Sequence, residues 1–156
     1  MMSIRRQPIS FWVMVILSLA VAFLIFMFSS QDSGASEEVS IGFAGMLFEK
    51  LFGPEFAESA NHFIRKCAHF SIYLALGFCV RGAFSKSNAD ITAISASLFS
   101  ALVCFLYASS DEIHQYFVPG RSCSVLDVLL DTFGALCGIL ISYFFFELVF
   151  RKRKSQ

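Results

Sequence analysis

The sequence predicts an all-α fold: a polytopic membrane bundle of four transmembrane helices, with an outer interfacial amphipathic helix between spans one and two. Three observations predict it. The 156 residues are 56% apolar and only 15% charged, whereas soluble domains are nearer a quarter charged. Mean hydropathy is +0.68, and 20 residues are Phe. The apolar residues also gather into four long runs, as lipid demands of a spanning chain. The length suits one domain, so residues 1–156 read as a single transmembrane unit. Disorder is excluded by this abundance of apolar and aromatic residues. The 12 basic and 12 acidic residues cancel, which leaves no basic field for nucleic acid.

The first span covers about residues 11–28 and is interrupted only by Ser18. Eighteen helical residues rise about 27 Å, close to the hydrocarbon thickness. A signal peptide is the rival reading, but the apolar core is long and no clear A-x-A site follows. The second span covers 67–84 and contains His69 and Arg81. The third covers 91–108 and is softened by Ser95, Ser97 and Ser100. The fourth covers 125–150 and contains Asp127, Asp131 and Glu147. Between spans one and two, Ile41, Ala44, Phe48 and Leu51 recur at helical spacing within Val39 to Phe52. That pattern fits an interfacial helix, and Gly53-Pro54 ends it and starts the next.

Orientation follows from Lys and Arg. Four spans put both termini on one side, with Arg5, Arg6, Arg81, Lys86, Arg151, Lys152, Arg153 and Lys154. The other side holds Lys50, Arg65, Lys66 and Arg121. The positive-inside rule places the termini in the cytoplasm. Glu147 lies one turn before Arg151, which reads as an i,i+4 pair. Most acidic residues and all three His then fall at the outer face, where function is expected.

Polar residues inside apolar runs rank by cost, since a charge at the membrane centre costs on the order of 3 kcal/mol. Asp127 and Asp131 share one face of the fourth helix with Gly134 and Gly138. The glycines permit close helix contact, so that face points into the bundle. Arg65, His69 and Tyr73 share a face of the second helix, extended by Gly77. Pairing of Arg65 or His69 with Asp127 or Asp131 is the simplest arrangement. Asp111, His114 and Gln115 lie within one turn, Val118-Pro119-Gly120 turns the chain, and Arg121 stands at the mouth of the fourth helix. Ser124 and Asp127 have the spacing of a capping box.

No metal-ligand motif such as HExxH is present, so no metal ligand and no cofactor is assigned; a carboxylate-bound divalent cation at a phosphate headgroup stays open. A triad from Ser109 or Ser110, His114 and Asp111 would sit on one turn, which rarely reaches triad geometry. The five Cys form no pair spacing and read as small apolar residues.

Four segments resemble the VanZ-like membrane protein family: Phe28-Ser29-Ser30-Gln31, then Arg65 to Phe70 with Tyr73 and Leu76-Gly77, then Asp111 to Arg121, then Ser124 to Asp127 with Gly134. They occur in the family's order over residues 28–138. Two variations stand out: Cys67 replaces the usual small residue after Lys66, and Asp131 stands where the family has Asn. The added charge makes pairing or protonation more pressing. The resemblance implies a small protein of the bacterial inner membrane. The family's namesake accompanies glycopeptide (teicoplanin-type) resistance clusters, and no biochemical activity follows from the likeness.

Two functions fit these residues. In the first, the outer face binds or modifies a lipid-linked or phosphate-bearing envelope component, such as a cell-wall precursor. Arg65, Lys66 and Arg121 would hold the phosphate, His69 or Asp127 would act as general acid or base, and Ser30 and Gln31 would touch sugar or peptide. Tyr73, Asp111, Glu112, Gln115 and Asp131 complete the candidate binding set. In the second, the protein is a non-catalytic scaffold or lipid- or drug-binding module, and the same residues clamp helices together. Whether it is an enzyme, and its oligomeric state, stay open. Transport is the weaker third option.

Overall fold

A computed structural model describes residues 7–31, 50, 54–89, 91–121 and 123–151, with the side chains of 54–59, 61, 62 and 148–151 left aside. Four helices follow in order: α1 (Ile9–Ser29), α2 (Pro54–Lys86), α3 (Ala93–Tyr116) and α4 (Val125–Arg151). Each contains a stretch long and apolar enough to cross a membrane, with α2 contributing Phe63–Lys86. The interfacial helix expected over Val39 to Phe52 lies, except for Lys50, outside the described residues.

Local chemistry sets the helix ends. Pro8 precedes α1, and its carbonyl accepts from the Phe11 N–H at 3.0 Å. Pro54 opens α2, where its missing N–H costs nothing. Thr92 caps α3 by accepting the Ser95 N–H at 3.1 Å. After α3, the chain turns through Val118 to Gly120, and Gly120 takes φ 76°, a conformation suited to glycine.

The third helix runs eight residues beyond the expected end of the third span, from Ala108 to Tyr116. The apolar pattern breaks at Ser109-Ser110-Asp111, which in isolation looks like an end. Inside the bundle, Asp111, Glu112 and Gln115 face inward and are buried, so the helix continues as a polar, protein-facing turn.

The most extensive packing joins α2 to α4; α1 rests on α2, and α3 on both α2 and α4. The contact of α2 with α4 is backbone on backbone. A Cβ on Gly134 would stand 2.5 Å from the Phe70 carbonyl oxygen, and a Cβ on Gly138 would overlap the Leu74 carbonyl more severely. Gly77 meets the Ala135 carbonyl in the same way from the other side. The shared glycine face read from the sequence is thus the helix interface. The buried apolar centre is small: Ile25, Tyr73, Leu76, Cys104, Ala108 and Ala135. Many large apolar side chains point outward instead, among them Trp12, Phe23, Leu98 and Phe133. That inversion suits a lipid surround, in which apolar exposure costs nothing.

The opposite end of the bundle, where α1 and α3 begin, corrects one expectation. Arg81 reads in the sequence as a surface charge, yet it is fully buried. Its Nε donates to Ser97 Oγ at 3.3 Å, one terminal nitrogen donates to Ser85, and the other lies 3.5 Å from Glu147 Oε1. The guanidinium also sits 5.1 Å above the Tyr143 ring. Glu147 therefore faces α2; the side chain of Arg151, its expected i,i+4 partner, lies outside the described residues. A charge inside an apolar run has no lipid partner, so it turns inward toward the carboxylate of the neighbouring helix.

Because the obstacle at Gly138 is a carbonyl and not a flexible side chain, Gly138→Ala should destabilise the bundle by at least about 1–3 kcal/mol. An SDS-unfolding titration of the purified protein reads this directly. The same change at Gly82, where the neighbours are the ends of the Met14 and Phe146 side chains, should cost less.

Candidate functional site

The candidate site lies at the end of the bundle where α1 and α3 finish and α4 begins. A cleft with a volume of about 30 Å³ opens there, lined by Arg65, Lys66, His69, Glu112, Gln115, Arg121, Asp127, Leu130 and Asp131. That space suits roughly two water molecules. Three helices and the α3–α4 turn supply the lining.

Helix α2 contributes Arg65, Lys66 and His69. Lys66 Nζ reaches Asp127 Oδ1 at 2.5 Å, and both side chains are about one third exposed. His69 Nδ1 lies 3.6 Å from Asp131 Oδ2. Of the expected α2–α4 pairings, His69 with Asp131 is formed. Asp127, however, takes Lys66 rather than Arg65 or His69. One residue along a helix is a rotation of about 100°, and it is Lys66 whose side chain reaches α4. Arg65 lines the cleft with no carboxylate partner among the described residues.

Helix α3 contributes Asp111, Glu112 and Gln115, all buried. Asp111 Oδ2 accepts from the Tyr73 hydroxyl at 3.2 Å and from Gln115 Nε2 at 3.1 Å. These neutral donors hold a carboxyl group deep behind the cleft. Glu112 Oε1 accepts the Ser124 N–H at 2.7 Å. The expected capping box is thereby altered: Glu112 of another helix takes the cap N–H that Asp127 would have taken, while Asp127 turns to Lys66. Ser124 still begins α4, its carbonyl accepting the Val128 N–H at 3.2 Å.

Arg121 ties three segments together. Its guanidinium donates to the Gln31 carbonyl at 3.0 Å, the Phe28 carbonyl at 3.2 Å and Gln115 Oε1 at 3.2 Å. The carbonyls at the end of α1 lack helical partners, and an Arg fork satisfies them. Gln31 thus enters through its main chain. Ser30 stands away from the cleft, its hydroxyl bonded to the Phe26 carbonyl at 2.7 Å and 3.1 Å from His114 Nε2. Ser109 and Ser110 bond carbonyls of their own helix, Phe105 and Tyr107, so neither forms the weighed triad with His114.

Of the candidate residues, Arg65, Lys66, His69, Glu112, Gln115, Arg121, Asp127 and Asp131 share the cleft. Tyr73 and Asp111 form the layer beneath, and Ser30 and Gln31 lie on the α1 side. Sequence reasoning did not single out Leu130 as a lining residue, nor the Tyr107 hydroxyl, which donates to the Ala22 carbonyl at 2.6 Å and fastens α3 to α1. The signal for Tyr107 was a phenol inside an apolar run, which needs a partner there.

Residues 12–146 match the family model described as VanZ/LLP1. The chain belongs to the VanZ/LLP1 family. No curated protein and no solved structure gives a match. The VanZ/LLP1 match runs through all four helices and includes every residue of the cleft.

In this VanZ/LLP1 protein Glu112 joins α3 to the start of α4. Glu112→Ala should therefore cost about 1–2 kcal/mol, the scale of a lost helix cap, in SDS unfolding. Glu112→Gln keeps an acceptor oxygen and should cost less.

Proposed function

We propose that this VanZ/LLP1 protein binds the phosphate-bearing headgroup of an envelope lipid at the outer face of the bacterial cytoplasmic membrane. The carrying observation is the cleft at one membrane end of the bundle. It collects Arg65, Lys66 and Arg121, and Arg65 has no carboxylate partner among the described residues. Arg can grip phosphate oxygens bidentately. The charge bias of the sequence puts this end outside and both termini in the cytoplasm. A lipid-linked wall precursor carries the required phosphate chemistry, and an effect on glycopeptide susceptibility would follow from binding one. His69 and Asp127 are the groups for any acid–base step on that ligand.

A second reading is favoured by a specific observation. Lys66–Asp127 and His69–Asp131 both join α2 to α4, as interhelical clamps would. Native mass spectrometry of the detergent-purified protein, with phosphatidylglycerol and polyprenyl-linked wall precursors added, separates the readings. Under headgroup binding, Arg65→Ala weakens lipid retention about tenfold or more, the scale of one charge-assisted contact, while the protein stays folded. Under the clamp reading, Arg65→Ala retains lipid as well as wild type, and Asp127→Asn loses folded protein. A precursor whose mass changes with wild type but not with Asp127→Asn would add catalysis.

The orientation has its own check. Cys123 is exposed in the turn at the cleft end. Cys67, beside Lys66, is exposed too, so in a Cys67→Ser background a membrane-impermeant maleimide applied to intact cells should label the protein, and adding Cys123→Ser should remove most of that label. Labelling only after cell lysis would reverse the orientation.

A further inference from the structure

Beneath the cleft, one donor atom from each of His69, Asp111 and Asp131 lies within 4.8 Å of the other two. Asp111 and Asp131 are buried, at 4% and 2% exposure. Asp131 Oδ1 is buried without a hydrogen-bond partner among the described residues, an expensive state for a carboxyl oxygen. The His69–Asp131 separation of 3.6 Å is too long for a hydrogen bond. It is close to the roughly 3.4 Å that separates two ligands on a tetrahedral ion with bonds of about 2.1 Å. Tyr73 and Gln115 already fix Asp111 from behind, the kind of outer hydrogen bonding that orients metal-binding carboxylates.

Charge points the same way. Among the described residues, Asp111, Glu112, Asp127 and Asp131 bring four carboxyl groups to the cleft and its floor, against the three cations Arg65, Lys66 and Arg121. A divalent cation would turn that small negative excess positive and allow an anion to approach.

We infer that His69, Asp111 and Asp131 bind a zinc-class divalent metal ion at the base of the cleft. One imidazole and two carboxylates suit zinc better than magnesium, which prefers six oxygens and keeps its waters. Three protein ligands leave a fourth position, and His69 and Asp131 both line the cleft, so that position faces it. This site goes beyond headgroup binding and does not rest on it, because its test uses the metal alone.

The test strips the full-length protein with chelator in detergent and titrates ZnCl₂ by calorimetry, with MgCl₂ in parallel. One zinc ion per chain should bind, and magnesium should bind far more weakly. His69→Ala and Asp131→Asn should each weaken zinc by more than about 100-fold, beyond the loss typical of an outer partner. His114→Ala, at the other described histidine, should leave zinc binding intact. Cobalt substitution of the wild type gives a readout that needs no variant: intense visible bands of a four-coordinate nitrogen–oxygen site. No stoichiometric zinc in the wild type, or zinc retained in both His69→Ala and Asp131→Asn, would overturn the site. Lipid retention measured on the same stripped protein reports separately on headgroup binding.

Discussion

The close approach of α2 and α4 is the constraint on which the rest depends. Gly77, Gly134 and Gly138 each stand where a side chain would strike the backbone of the other helix. In lipid, helices gain little from hiding apolar surface against one another, so association rests on contact and polar pairing. Small residues allow that contact. The same approach carries Lys66 to Asp127 and His69 to Asp131. Moving these helices apart would strand both carboxyl groups at once.

Most polar groups within the bundle find a partner on a neighbouring helix, on their own helix, or in the cleft. At the end away from the cleft, Arg81 gathers Ser85, Ser97, Glu147 and Tyr143. At the cleft end, Arg121 binds the carbonyls that α1 leaves open, and Glu112 caps α4. These contacts hold the turn between α3 and α4 in place and shape the cleft. Asp131 is the ionisable departure, with one oxygen unpartnered among the described residues, beside the buried hydroxyls of Ser29, Thr132 and Ser142. An exception of that kind, buried beside a histidine and a second carboxyl group, is where a ligand is most needed.

The candidate site was partly legible along the chain. Spacing alone put Asp127 and Asp131 on one face with Gly134 and Gly138, and put His69 and Tyr73 on one face with Gly77. Those faces do meet. Which cation answers Asp127 was not legible, because Arg65 and Lys66 are adjacent and only the helix rotation selects between them. Glu112 as the cap of α4 was hidden as well, since Asp127 has the nearer spacing. Arg81 sat in plain view inside an apolar run, but counting it as a flanking charge missed its burial.

The sequence by itself determined the four spans, their approximate limits and the VanZ-like pattern of polar residues, because lipid imposes long apolar runs and helical periodicity on any spanning chain. It also marked which residues needed partners. Tertiary structure decided who those partners are: Lys66 for Asp127, Glu147 for Arg81, Glu112 for Ser124. It also carried α3 on past the apolar run to Tyr116. The physical reason is common to all of these. A buried charge or N–H in lipid must be satisfied, but which neighbour satisfies it depends on helix rotation and separation, and these are fixed only when the backbones of α2 and α4 meet.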